Sequence, residues 1–572
     1  MSERPTLGDL LRQQARQRPS APFLTDGARR LSFGATDATV DRLVAGLRGL
    51  GLRKGDHVAL WLPNSLEWVV LFLACARLGA PVIPVNTRYK ADEVGYILKQ
   101  SDSRLLVMSE PRWGIDYHAL LRESAPELAA APAGPLHLAA LPELRHVVTT
   151  SVTPLPGTLP LAALGLAPDG ALPGGATPEG PDAPDAPDAP DAPDAPAAAA
   201  TPPAPVHADD LLIICYTSGT TGRPKGVMHN HRVIAQSTRV GAALRTGPDD
   251  RVLGHMPFYH VAGLFMALIP ALALGAELVI MQEWHTGHAI EVIARHRVTV
   301  FGGIPTHYFD LVRALDGATA PLASLKSAWI GGASIGLEAF QRIQQALPGT
   351  RLLSTYGMTE NTISTTFNRW DDPADKISRN MAPQLGPGRL RIVDPKTLRE
   401  VAPGENGEIW CHGDTVMLGY YKNPSATREV LTEDGWLRSG DIGNVDADGF
   451  LALTGRVKEM FKVGGSNAYP AEIEAYLTAH PDVVAAVVVG VPDERLGEVG
   501  YAFVETARPL DAAALRRFCK TKMADFKVPR YVQFMEALPR TSTGKLARAD
   551  LAASARAAVA ANLANQAPHP TR

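Results

Sequence analysis

The sequence predicts an α/β protein: a large N-terminal domain of αβ-layered sheets with a β-rich subdomain, followed by a small α+β C-terminal domain. Three observations predict it. The 572 residues exceed what one hydrophobic core organises. Short β-rich runs alternate with helical patterns through most of the chain. The pattern then changes character after about Asp394 and again after Val457.

In chain order, residues 1 to 150 carry the runs HVALWL, APVIPVN and RLLVMS between the helical stretches ATVDRLVAGLRGL and SLEWVVLFLACARLG, which reads as parallel sheet with crossover helices. From about Val152 to Val206 the chain turns to Ala, Pro, Gly and Asp, with five consecutive PDA units from Pro181 to Ala195. So few bulky apolar residues cannot offset the entropy of ordering, and a disordered surface insertion is expected, with an interaction tether as the other reading. Order resumes at Asp209 with LLIICY, and αβ alternation continues to about Asp394. A turn-punctuated β-rich section follows (RLRIVD, GEIWCHG, GFLALTG). From Lys458 the order is helix (PAEIEAYLTAH), strands (VVAAVVVGV, GYAFVE), helix (DAAALRRFCKTKM) and strand (RYVQFM), enough for a domain of its own. The domains are therefore placed at 1–457 and 458–572, and roughly the last fifteen residues read as a frayed tail.

Hydrophobic residues at 45% and charged residues at 20% fit an ordinary globular protein. A net charge of -3 gives no broad basic field, which argues against nucleic acid or an anionic membrane as the main partner. Cys75, Cys215, Cys411 and Cys519 lie far apart in mostly apolar surroundings, so buried reduced thiols are expected rather than metal ligands or disulfides. The start MSERPTLGDLLRQQ lacks a charged-then-apolar leader. The longest uncharged run, Val261 to Ala276, is interrupted by Gly263, Pro270 and Gly275 and is too short to span a bilayer. A cytoplasmic location without stable membrane insertion is expected.

The most informative segment is YTSGTTGRPKGV, Tyr216 to Val227, directly after the strand-like LLIICY. Thr217, Ser218, Gly219, Thr220, Thr221 and Gly222 bring hydroxyls and bare backbone N–H groups, and Lys225 adds charge, the makings of an anion-binding loop. Its spacing is not that of the GxxxxGK[ST] loop. YGMTE, Tyr356 to Glu360, supplies an aromatic face, a hydroxyl and a carboxylate at the expected end of the strand-like RLLST. RSGDIG puts Asp441 in a glycine-flanked turn, GRVKEM follows with Arg456, and LPRTSTGKLARADL puts Lys545 after a Ser/Thr/Gly turn. GGAS, Gly331 to Ser334, together with Gly336 also spells the GxSxG elbow of α/β-hydrolases, but the later histidines, His412, His480 and His569, stand in no convincing loop context for a triad.

In this order the segments resemble the signature motifs of the adenylate-forming superfamily, which includes acyl-CoA synthetases, firefly luciferase and the adenylation domains of peptide synthetases. The resemblance covers nearly the whole chain apart from the Pro/Ala/Asp insertion. It implies ATP and coenzyme A as co-substrates, Mg²⁺ as cofactor, and a small C-terminal domain that is mobile. It implies that the loop at Thr217 to Gly222 and Lys225 holds phosphates, that Tyr356, beside Gly357, stacks on adenine, that Thr359 meets the α-phosphate, and that Glu360, with Thr221, holds Mg²⁺. Gly331, Gly332, Ala333 and Ser334 then line the adenine and acyl pockets, Asp441 grips the ribose, and Arg456 reaches the nucleotide. Lys545 is the mobile catalytic lysine, Lys458 the hinge, and Gly464 and Gly465 line the pantetheine tunnel. Ser439 stands where the family more often has Thr, which keeps the hydroxyl.

By the same resemblance MPFYHVAGL is the acyl-pocket motif, with His260 as gate and Gly263, Ile304 and Gly331 as lining; a plain core histidine is the competing reading of His260. No acid in this stretch could pair a substrate ammonium, which argues against a free amino acid, and the neighbouring Gly263, Leu264, Phe265, Met266 and FGGIPTHYF suggest an apolar carboxylic acid, fatty, alicyclic or aromatic. Ala382 replaces a glycine usual in relatives and would reshape the acyl site. Phe526, Lys527 and Arg530 in FKVPR could stack on and pair with the coenzyme A nucleotide, or form an ordinary basic turn. The expected function is acyl-CoA synthesis through an acyl-AMP, with a homodimer allowed for. The rivals are an acyl-AMP ligase that loads a carrier protein and an inactive homologue that senses acyl ligands.

Overall fold

The computed structural model describes residues 4–166, 204–217, 223–315, 322–332, 335, 337–362, 364–379, 381–463, 466–493, 495–540 and 546–566. They fall into two compact units, one of Met1–Phe301 with Met358–Ile363 and Asp414–Glu429, the other of Gly302–Gly357, Ser364–Gly413 and Val430–Arg572. The division is α/β throughout, as expected, although the boundary expected at Val457 falls inside the second unit.

In the first unit an eight-stranded sheet runs in the order Gly419–Tyr420, Lys225–Asn230, Leu211–Thr217, Val82–Pro84, His57–Trp61, Ser103–Met108, His146–Thr149 and Leu159–Pro160. The six strands from Leu211–Thr217 onward are parallel. Both faces are covered, so the central strand His57–Trp61 is buried at every position and its sequence is a continuous apolar run after His57. The helix Leu66–Leu78 is buried at every residue but Glu67, and its buried side chains are apolar all round except Arg77, which pairs with Asp37 and Asp41. Ser65 caps its start by accepting from the Trp68 N–H, and Gly79 ends it at φ +77°, a left-handed conformation that glycine adopts without strain. A second parallel set joins Arg251–Gly254, Glu277–Ile280 and Pro22–Asp26, with Arg29–Ser32 antiparallel at its edge.

The insertion starts later than its composition suggests. Leu159–Pro160 pairs in parallel with His146–Thr149, and the following helical turn buries Leu161 and Leu164, with Leu166 buried after it. These leucines are the apolar anchors that the Ala/Pro/Asp repeat lacks. The repeat itself lies outside the described residues.

In the second unit Ser327–Ile330 and Arg351–Tyr356 pair in parallel, with Thr366–Phe367 antiparallel to the latter. A five-stranded antiparallel sheet follows in the order Ala382–Pro383, Phe450–Arg456, Leu437–Val445, Gly407–His412 and Arg389–Val393. Ala382 is buried there opposite Leu451. The C-terminal part pairs Val483–Asp493 with Gly497–Thr506 antiparallel and Tyr531–Met535 parallel to the latter. Its core gathers Val487, Val488, Phe503, Leu515 and Leu551. The helix Arg548–Gln566 buries Leu551, Ala555 and Val559, an apolar stripe at four-residue spacing, and carries helical order into the stretch expected to fray as far as Gln566; residues 567–572 lie outside the described residues. All four cysteines are free and buried. Among the described residues no helix is long and apolar enough to cross a membrane.

Candidate active site

The strand Leu211–Thr217 ends, and Lys225–Asn230 begins, at the antiparallel pair Thr217↔Lys225. Ser218, Gly219, Thr220, Thr221 and Gly222 lie outside the described residues. The ends of their loop are fixed. The Thr217 hydroxyl reaches the Lys225 carbonyl at 3.5 Å, the Tyr96 hydroxyl donates to the Pro224 carbonyl at 3.3 Å, and the Arg223 guanidinium lies 4.8 Å from the Tyr96 ring centre. The loop thus leaves the carboxyl end of a parallel strand, where open α/β sheets bind ligands.

Residues 415–421 fasten this hairpin to the turn that carries Thr359 and Glu360. Tyr420 pairs with Val227 in the sheet, and the Leu418 N–H donates to the Met228 carbonyl at 2.9 Å. The Met417 N–H donates to the Glu360 carbonyl at 2.8 Å, the Thr362 hydroxyl to the Thr415 carbonyl at 2.6 Å, and the Thr415 hydroxyl to Asn361 Oδ1 at 2.6 Å. From the other side His229 Nε2 donates to the Thr359 carbonyl at 2.6 Å, and its ring meets Phe265 edge-on. Burial pushes the His229 imidazole down to about 4, so it is a neutral donor.

Two charged side chains converge on Tyr420. Its hydroxyl donates to Glu360 Oε1 at 2.9 Å, and the Lys225 ammonium lies 5.0 Å from its ring centre. Burial first, then the Glu360 charge, raise the phenol far above its ordinary value, so it stays a donor. Neither Lys225 nor Glu360 has an ion-pair partner among the described residues. Sequence reasoning singled out both charges and missed Tyr420 and His229. The available signal was GYY, Gly419 to Tyr421, beside a strand edge.

The second unit brings another group of predicted residues together. The cross-strand pair Asp441↔Arg456 puts Arg456 Nε 2.7 Å from Asp441 Oδ1, and the Tyr356 hydroxyl donates to Asp441 Oδ2 at 2.7 Å. Asp441 is 4% exposed. The preceding Gly440 takes a left-handed φ of +72° and donates its N–H to Glu408 Oε1, while the Asp441 N–H is held by the Ser439 hydroxyl at 3.0 Å. Asp441 raises the Arg456 guanidinium, and burial, then Asp441, raise the Tyr356 phenol.

Gly331 packs beside Thr355, and Gly332 beside Ile304. A Cβ on Gly331 would lie 2.9 Å from the Thr355 carbonyl oxygen, and one on Gly332, at φ +79°, would lie 3.0 Å from Ile304 Cγ2. Ala333 and Ser334 lie outside the described residues, as do Gly464, Gly465 and Lys545. The flanks of Lys545 are nevertheless pinned. Arg540 and Leu546 form an antiparallel bridge, and Arg540 Nη1 donates to Thr306 Oγ1 at 3.1 Å, two residues beyond Ile304.

In the first unit His260 caps the short helix Val261–Gly263, its Nδ1 accepting from the Ala262 N–H at 3.1 Å. A side chain at Gly263 would strike the Met256 and Pro257 carbonyl oxygens at 2.4 Å. The all-buried turn Leu264–Leu268 that follows is π-helical, a departure often found at functional sites. In the second unit Lys458 is exposed in the turn after Arg456. Phe526 packs against the C-terminal core, Lys527 pairs with Glu472 at 2.5 Å, and Arg530 pairs with Asp493. Any phosphate that used these two cations would have to displace a carboxylate from each.

A family model described as AMP-binding enzyme matches residues 11–421, and one described as AMP-binding enzyme C-terminal domain matches residues 472–545. A Mycobacterium tuberculosis protein named 3-[(3aS,4S,7aS)-7a-methyl-1,5-dioxo-octahydro-1H-inden-4-yl]propanoyl:CoA ligase is 36% identical over 96% of this chain and 98% of its own. The mitochondrial medium-chain acyl-CoA ligase of Mus musculus is 31% identical over 90% of this chain and 82% of its own. Among solved structures, the anthranilate CoA ligase AuaEII in complex with anthranoyl-AMP superposes with a TM-score of 0.79 at 26% identity, covering 98% of this chain and 99% of that one. ATP-bound MatB from Rhodopseudomonas palustris gives 0.77 at 27% identity, covering 96% and 99%. Matched along both parts of its length and by relatives of nearly equal extent, the chain belongs to the AMP-binding, adenylate-forming enzyme family.

Proposed function

We propose that the chain is an ATP-dependent, AMP-forming acyl-CoA synthetase for an apolar carboxylic acid. The carboxylate oxygen attacks the α-phosphorus as the bond to pyrophosphate breaks; the coenzyme A thiolate then attacks the acyl carbon, and AMP leaves. The observation that carries this reading is the pair Lys225 and Glu360, a cation and an anion without ion-pair partners among the described residues, at the base of the glycine-hydroxyl hairpin. Lys225 serves the phosphates, Thr359 the α-phosphate, and Tyr356, Asp441 and Arg456 the nucleoside. Lys545 neutralises charge as two anions meet in the first step. Lys458 is the hinge at the start of a mobile domain 458–572, and Gly464, Gly465, Phe526, Lys527 and Arg530 serve coenzyme A.

Glu360 offers a hard oxygen ligand of the kind Mg²⁺ takes, and Thr221 is assigned beside it. Mg²⁺ held there would take its remaining oxygen ligands from the nucleotide and water. Bound Mg²⁺ supplies positive charge to the phosphates.

Relatives at 36% and 34% identity are named for a bicyclic propanoate, and the mouse relative for medium-chain acids. Alicyclic propanoates and medium-chain fatty acids are therefore the first substrates to try. The reading carries with it a cytoplasmic location and allows a homodimer. The test is acid-dependent pyrophosphate release across fatty, alicyclic and aromatic acids, with and without coenzyme A. Acyl-CoA formation with at least one class is expected. Acyl-AMP and pyrophosphate formed without coenzyme A consumption would give the acyl-AMP ligase instead, and no ATP cleavage with any acid would leave only an acyl-ligand sensor.

A further inference from the structure

We propose that Tyr420 is a positioning residue that keeps Lys225 and Glu360 from pairing with each other, so that both meet the nucleotide uncommitted. This rests on the functional reading above and adds a residue that no motif argument assigned.

The geometry is specific. Tyr420 lies opposite Val227, and Lys225 stands two residues earlier on the same strand and hence on the same face, within diagonal reach of a long side chain. The ring receives the Lys225 ammonium, with 5.0 Å from nitrogen to ring centre, while the hydroxyl holds Glu360 Oε1 at 2.9 Å. Both opposite charges thus touch one side chain, and a change of rotamer in the flexible lysine stem would suffice to bring them toward each other. In partly buried surroundings such a pair would be favourable, and ATP would have to break it before using either member.

Tyr420 is well placed to prevent this because it is itself held. It is 8% exposed, and its N–H donates to the Thr427 hydroxyl at 2.9 Å. The next residue, Tyr421, donates its N–H to the Gly226 carbonyl at 2.7 Å and its hydroxyl to Asp102 Oδ2 at 2.8 Å. Each contact suits the group it holds: a π face for the ammonium, a neutral donor for the carboxylate.

The test is a double-mutant cycle read by ATP binding in EDTA, by calorimetry, so that neither metal nor turnover enters. Tyr420→Leu removes ring and hydroxyl together, and Tyr420→Phe keeps the ring and frees Glu360. Each is made in the native chain and in Glu360→Gln, which has no charge to pair with Lys225. The Leu variant should weaken metal-free ATP binding about tenfold and the Phe variant about threefold, and both losses should shrink below about twofold in Glu360→Gln. Equal losses in the two backgrounds would reduce Tyr420 to a packing role, and unchanged binding in the native background would overturn the inference outright. Thermal melts check that each variant folds. Should the Leu variant fail to fold, the Phe cycle decides alone. Wild-type protein that neither binds ATP nor cleaves it in response to any acid would sink the functional reading itself, an outcome distinct from an active wild type with an additive cycle.

Discussion

Lys225 and Glu360 in the first unit are held against a tyrosine between them, whereas Asp441 and Arg456 in the second are mated directly at 2.7 Å. The difference matches what each group is proposed to hold. A ribose is neutral, so a carboxylate can keep its counter-ion and still offer lone pairs to hydroxyl groups. A triphosphate is an anion, and a lysine already neutralised by a carboxylate would have little charge left for it. Among the groups proposed for ATP, those that face its charged part are kept single, and those that shape the ribose cradle are paired in advance.

The largest effect that would sharpen this contrast concerns a third cation. Lys545→Ala should slow acyl-adenylate formation by about three orders of magnitude, yet leave conversion of supplied acyl-AMP to acyl-CoA nearly intact, since only the first step joins two anions. Single-turnover assays of the two half-reactions read this directly, and equal loss in both would break the assignment.

Next in size is acid sensitivity. Burial holds the His229, His231 and His307 imidazoles down to about 4. Their unfolded values lie near 6.5, so below that pH the unfolded chain takes up protons that the folded chain refuses. Stability should be level from about pH 7 to 8 and fall as pH drops from about 6.5 toward 4, by on the order of 3 kcal/mol per imidazole. Denaturant midpoints at a series of pH values check it, and a flat profile would mean these rings are protonated in the fold.

Asp441→Ala probes the mated pair itself. It strips the acceptor from both Arg456 and the Tyr356 hydroxyl, and should raise the KM for ATP by about tenfold while lowering stability by about 2 kcal/mol. If KM rose with no loss of stability, the pair would belong to the ligand alone. The smallest expected change is at Lys527, whose pair with Glu472 is partly exposed. Lys527→Ala should raise the KM for coenzyme A by about threefold and leave that for ATP unmoved, as steady-state kinetics would show.

Much of the fold was legible because buried strands such as His57–Trp61 and the helix Leu66–Leu78 are written as apolar runs with caps at their ends. The site was legible where its residues sit in short segments: Thr217 to Lys225, Tyr356 to Glu360, Asp441, Arg456. What could not be read is what register creates. Tyr420 meets Lys225 because two distant segments pair at Val227, and Tyr356 meets Asp441 from 85 residues away in sequence. Composition alone makes the insertion too wide, because Pro and Gly around Leu159 to Leu166 hide three buried leucines, and alanine likewise hides the helical stripe near the C-terminus.

The four cysteines have a practical corollary. All are buried, and burial pushes Cys75 and Cys411 up to about 12, Cys519 up to about 11 and Cys215 higher still. Their sulfur atoms are neither reachable nor nucleophilic at neutral pH. A chromogenic disulfide added to the reaction mixture should therefore leave the folded enzyme untouched and count only the sulfhydryl of the co-substrate, giving a continuous colour readout without background from the catalyst.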